Sequence, residues 1–150
     1  MTAPRILVAE NDDATRACLC DALELQGYQV SGVSTAAATL GHEHLNQFTA
    51  ILLDRKLPDG TADELMPKLS QLAPNATCII VTGQADLEDT IVALRDAASD
   101  YIVKPIGPES LRASLLRIRR LADAERRAAQ AERLAAVGQM VASIGHESRN

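Results

Sequence analysis

The sequence contains no tryptophan, one phenylalanine and two tyrosines. Tryptophan fluorescence is therefore excluded as a reporter, and Tyr28 and Tyr101 are left to serve. There are three cysteines; no spacing among them suggests metal ligation, and the odd count argues against a disulfide framework. Cys18 and Cys20 lie two apart in a helical segment and point to different faces, and Cys78 falls in an apolar run. All three read as idle thiols. No apolar run approaches the roughly 18 residues of a membrane span, and the opening "MTAPRILVAEND" lacks the pattern of a secretory signal. The expected setting is cytoplasmic, with no membrane partner. A glycine-rich nucleotide loop is also missing, so these residues are not expected to bind ATP.

What is present is enough for one domain with a core of its own, plus an extension: 150 residues, 47% of them hydrophobic. Charge is unevenly spread. Residues 1–105 hold 7 basic and 15 acidic side chains, whereas residues 106–150 hold 8 and 5. The acidic part is a poor nucleic-acid binder. The arginines of the basic part, "RIRR" at 117–120 with Arg126, Arg127 and Arg133, alternate with alanine, leucine and glutamate without aromatics. That pattern reads as a solvated helix face, and no nucleic-acid partner is expected.

Apolar runs of strand type alternate with helical patterns. "RILVA" (5–9), "YQVSGV" (28–33), "AILL" (50–53), "TCIIV" (77–81) and "YIV" (101–103) predict five strands. The near-continuous apolarity of the first, third and fourth suits strands covered on both faces. Helices are predicted at 14–26, closed by Gly27, at about 35–46, at 62–72 and at 86–97. Repeated strand–helix units with right-handed crossovers give an α/β fold, a doubly wound five-stranded parallel sheet.

From Pro108 onward the pattern predicts a helix of roughly 35–40 residues, too long for an ordinary globular helix. Leu111, Leu115, Ile118 and Ala122 form one apolar stripe; Leu134, Val137, Val141 and Ile144 form another, offset from the first. The two stripes suit a two-stranded coiled coil with a phase slip, and a second copy of the chain is the simplest partner. The division expected is a domain at 1–122 and a helical extension at 123–150.

In a doubly wound sheet, ligands bind at the carboxyl ends of the strands. Those ends carry Glu10-Asn11-Asp12, Asp54, Thr82-Gly83 and Lys104-Pro105. Acidic groups facing Asp54 form a site for a hard cation such as Mg²⁺, which takes oxygen ligands. With that charge neutralised, Asp54 could attack phosphorus while Lys104 and the Thr82 hydroxyl hold the phosphoryl oxygens. Singly, each residue has an ordinary explanation as a helix cap or loop residue. Together, at successive strand ends, they point to phosphoryl transfer onto an aspartate.

"ILVAENDDATR", "ILLDRKLPDG", "IIVTG" and "DYIVKP" resemble the successive motifs of the response-regulator receiver domain of two-component signalling, over about residues 3–122. The resemblance implies a flavodoxin-like (βα)5 fold, Asp54 as phosphoacceptor and Mg²⁺ as cofactor. It implies Glu10, Asn11, Asp54 and the Lys56 backbone carbonyl as metal ligands, Thr82 as switch hydroxyl, Tyr101 as aromatic switch and Lys104 as the conserved-type lysine. The implied partner is a phosphodonor histidine kinase or phosphotransfer protein. One position departs from the family: Asn11 stands where a second acidic residue is usual, which removes a negative charge and should weaken metal binding. Asp12 could compensate if the loop shifts.

The stretch "AERLAAVGQMVASIGHESRN" (131–150) is similar to the start of the dimerisation and phosphoacceptor helix of sensor histidine kinases, with His146, Glu147 and Asn150 at the motif positions. This implies His146 as a second phosphoacceptor with Glu147 as general base, in a longer hybrid kinase of which these residues would be a piece. His42 and His44 lie in a polar helix end and carry no such role. Two alternatives stand beside this reading. One is a receiver-like interaction and dimerisation module that works without phosphorylation, motivated by Asn11. The other, a DNA-binding regulator, lacks a turn between two short helices in residues 123–150.

Overall fold

A computed structural model describes residues 4–88, 91 and 100–149, with the backbone path alone for 100, 118, 119, 121, 122, 125 and 139–149. Five strands form one parallel sheet: β1 (Arg5–Ala9), β2 (Gln29–Val33), β3 (Ala50–Asp54), β4 (Thr77–Thr82) and β5 (Asp100–Val103). Their spatial order is β2-β1-β3-β4-β5, so the order reverses between β1 and β3, where a ligand crevice is expected. β3 is buried along its whole length and β1 after its first residue. This is the burial that near-continuous apolar strands require. One face of the core joins Leu7, Ile51, Leu53 and Ile80 to Leu65, Met66 and Leu69.

Helix α1 (Asp13–Leu25) starts where the Asp12 carboxylate accepts the Thr15 amide at 2.8 Å. It ends before Gly27, whose φ of 91° is one that glycine adopts without strain. Helix α3 (Ala62–Leu72) is capped by Thr61 and carries Asp63 and Glu64 in its first turn, where the helix dipole favours negative charge. It buries Ala62, Leu65, Met66 and Leu69, which lie three or four apart on one face. A two-stranded ribbon that the sequence did not suggest, Lys56–Leu57 against Gly60–Thr61, leads from β3 into α3.

The helix expected at 35–46 is much shorter. Helix α2 covers only Ala36–Leu40 and is followed by a single 3₁₀ turn at Leu45–Gln47. Two local features end it. Gly41 favours a helix terminus, and His42 Nδ1 accepts the His44 amide at 3.1 Å, diverting a donor that a longer helix would need. Burial of Leu45 and Phe48 then draws the chain back towards the sheet. The start of α2 is held from a distance, because the Asp59 carboxylate accepts the amides of Ala36 and Ala37 at 2.6 and 3.0 Å. The helix expected at 86–97 falls largely outside the described residues.

The last helix, α4, runs from Pro108 to Arg149, 42 residues. The chain divides into two compact units, Met1–Ser114 and Leu115–Asn150. Among the described residues, no helix is long and apolar enough to cross a membrane.

Candidate functional site

Strand register brings the expected residues to one rim. Ala9 lies beside Leu53, Asp54 beside Val81, and Thr82 beside Val103. Backbone hydrogen bonds extend the sheet past the strand ends: Glu10 N donates to the Val33 carbonyl at 3.0 Å, Arg55 N to Val81 at 2.8 Å, and Lys104 N to Thr82 at 2.7 Å. The residues that follow the strands are therefore fixed at the backbone, and their side chains meet over a rigid edge. The peptide bond between Lys104 and Pro105 is cis.

Lys104 is the centre of this meeting. Its Nζ donates to Glu10 Oε1 at 3.1 Å and Oε2 at 3.3 Å, and to Asp54 Oδ2 at 3.3 Å. Glu10 is 2% exposed and Asp54 9%, so two carboxylates share one ammonium at the edge of the core. Burial, and then the hydrogen bond with Asp54, push the Glu10 carboxyl up to about 7 against the pull of Lys104. Burial works to lower Lys104, but its hydrogen bond to Glu10 and the charge of Asp54 outweigh that and hold the ammonium above its ordinary value. Asp54 Oδ1 also lies 3.5 Å from the Lys56 amide.

Thr82 is fully buried, and its hydroxyl donates to the Gly83 carbonyl at 3.3 Å. Tyr101 is half-buried and packs against the core one strand away. Asn11 is exposed at the rim. Asp12, the candidate to replace the missing acid, is committed elsewhere: its Oδ2 accepts both the amide and the hydroxyl of Thr15, at 2.8 and 2.6 Å. Those bonds, the hydroxyl's first, hold its carboxyl below the usual range. Glu10, Asn11, Asp54 and the Lys56 carbonyl offer oxygen donors alone, which suits a hard cation. Among the described residues no three His, Cys, Asp or Glu side chains gather as a metal cluster.

Several contacts around the rim were not anticipated. Arg16 Nη1 donates to the Glu10 carbonyl at 2.9 Å while Nη2 pairs with Asp13 at 2.6 Å. Lys56 Nζ pairs with Asp86 at 3.3 Å, and Arg55 pairs with Asp63 at 2.9 Å. The Asp13–Arg16 spacing of three on a helix start was the one signal in the sequence that could have revealed a member of this set. Beside the rim, Ala14, Thr15, Cys18, Leu19, Lys104 and Ile106 line a mostly apolar cleft of about 620 Å³. The side chains of His146 and Glu147, and Asn150 altogether, lie outside the described residues.

Residues 6–116 match the family model of the response regulator receiver domain. The chain belongs to that family. This receiver is 31% identical over 115 residues to the C4-dicarboxylate transport transcriptional regulatory protein DctD of Rhizobium meliloti, a match covering 77% of the chain and 25% of DctD. It is 31% identical over 117 residues to the transcriptional regulatory protein BasR of Escherichia coli, covering 78% of the chain and 51% of BasR. The matched receiver thus spans a quarter to a half of these regulators. Among solved structures, a CheY-like receiver from Methanospirillum hungatei JF-1 is 34% identical with a TM-score of 0.70, covering 83% of this chain and 98% of that one. A receiver domain protein from Clostridium thermocellum shares the fold, with a TM-score of 0.73 at 22% identity. Receivers of this family are phosphorylated by histidine kinases or phosphotransfer proteins, and the family typically uses Mg²⁺ at the phosphorylation site.

Proposed function

We propose that Asp54 is the phosphoacceptor of this receiver. The observation that carries the reading is the Lys104 ammonium held between the Asp54 and Glu10 carboxylates at the carboxyl edge of the sheet. An Asp54 oxygen attacks the donor phosphorus; the new O–P bond forms as the donor's P–N bond breaks, and the imidazole nitrogen leaves with the electron pair. Lys104 already faces the attacking carboxylate, so it meets the phosphoryl oxygens without reorganisation. Glu10, Asn11, Asp54 and the Lys56 carbonyl would hold Mg²⁺, which supplies charge neutralisation at the phosphoryl oxygens. Thr82 and Tyr101 stand on the adjacent strands as the switch pair.

In the same reading residues 1–122 are the receiver unit and 123–150 a connector opening a kinase dimerisation helix, with His146 as a second phosphoacceptor and Glu147 as its base. Leu134 and Val137 are 65% and 55% exposed in the single chain, which supports pairing with a second copy. A change at Asp54 would then reach the kinase module through the last helix.

The test is the intact mass of the wild type and Asp54→Ala after incubation with a small phosphodonor and Mg²⁺. One phosphoryl group gained by the wild type alone is the expected result; equal gain in both proteins refutes the assignment. Asn11 favours one second reading, a module that signals without phosphorylation. No gain by the wild type, together with failure to bind beryllium fluoride, is the outcome that reading requires.

A further inference from the structure

At the amino end of the strands, opposite the carboxylate rim, a second pocket of about 290 Å³ is lined by Arg5, Val30, Ser31, His42, His44 and Phe48. Its cation is unusual in its company. Arg5 Nε donates to Gln29 Oε1 at 3.1 Å and Nη1 to Gln47 Oε1 at 2.6 Å. Both partners are neutral amides, and among the described residues no carboxylate pairs with this guanidinium. Of the other described cations in residues 1–105, Arg16, Arg55, Lys56 and Lys104 pair with carboxylates and the exposed Lys68 does not. Arg5 is thus oriented but not neutralised, in a part of the chain where acids outnumber bases by 15 to 7. A guanidinium has further N–H groups beyond the two engaged, set in a planar fork that fits carboxylate or phosphate oxygens.

The rest of the pocket is fixed too. Thr49 N donates to the Arg5 carbonyl at 2.8 Å, and Gln47 N to that of His44 at 2.9 Å. His42 packs edge-on against Phe48 with ring centres 4.9 Å apart. Because its Nδ1 accepts the His44 amide, the neutral ring carries its proton on Nε2, where it is a donor. Phe48 and Val30 contribute apolar wall to the same pocket. The volume is near the lower end of small-molecule sites, roughly 300 Å³.

We propose that this pocket binds a small organic anion, with its oxyanion on Arg5 and its apolar part against Phe48 and Val30. The site is separate from phosphorylation of Asp54 and does not depend on it. Ordering of Arg5 by Gln29 and Gln47 means that a ligand need not immobilise the side chain itself, which favours binding.

The test is an amide chemical-shift titration of the full chain with inorganic phosphate and, separately, with benzoate, at constant ionic strength set by chloride. Saturable shifts centred on Arg5, Ser31 and His44 are expected, weakened at least tenfold in Arg5→Gln. Saturation by benzoate alone assigns a carboxylate ligand, and by phosphate alone a phosphate ester; either upholds the site. Arg5→Lys keeps the charge without the fork, so it should also bind more weakly, and it serves if Arg5→Gln does not fold. Shifts that rise linearly with both probes, or saturate equally in wild type and variant, overturn the proposal.

Discussion

Lys104 carries more of the rim's electrostatics than any other side chain, since its ammonium is the shared partner of two nearly buried carboxylates. Lys104→Ala should slow phosphorylation of Asp54 by roughly 10²–10³-fold, the usual cost of removing one preorganised charge stabiliser; rates from intact mass against time would check it. Glu10 gives a stability signature. Its carboxyl is raised from 4.5 to about 7 in the folded chain, so between those values the unfolded chain loses the proton and the folded chain keeps it. In metal-free buffer the wild type should therefore lose stability relative to Glu10→Gln as pH rises from about 4.5 to about 7, and the difference should be flat outside that window. Urea titrations across this range would show it, and a difference independent of pH would contradict the burial of Glu10. Thiol chemistry separates Cys18 from Cys78. Cys18 is exposed, whereas burial pushes Cys78 up to about 11, so alkylation at pH 8 should label Cys18 first and Cys78 last.

At the scale of elements, α1 tests whether Asp12 is a cap or a ligand. Its bonds to Thr15 make it a cap, and Asp12→Ala should lower stability while leaving phosphorylation of Asp54 intact. Loss of phosphorylation with unchanged stability would instead place Asp12 at the metal. β1, β3 and β4 announced themselves because strands buried on both faces are nearly all apolar, and α3 because its apolar residues recur on one face. Asp54, Glu10, Thr82 and Lys104 were legible as a set because parallel strands end on one edge, so position in sequence translated directly into position in space. The short span of α2 was not legible, since its end depends on His42 taking a backbone donor and its start on a cap from Asp59 more than twenty residues away. The ribbon at 56–61 was too short to leave a periodicity. Arg5 looked like an ordinary strand-opening residue; only the fold places two glutamines and two histidines around it.

At the scale of the whole molecule, the receiver unit and the long helix make different claims. Pairing of α4 predicts that the full chain is a dimer by light scattering and that a chain ending at residue 122 is a monomer; monomers in both cases would remove the coiled coil. The central claim is narrower and concerns one carboxylate. An acyl phosphate is reduced by borohydride to the alcohol, which would turn a phosphorylated aspartate into homoserine and leave its mark after digestion. The decisive measurement is peptide mass mapping of the chain treated with a small phosphodonor, Mg²⁺ and then borohydride. Homoserine at position 54 alone is predicted. An unmodified Asp54 peptide with phosphate or homoserine found elsewhere would contradict the assignment.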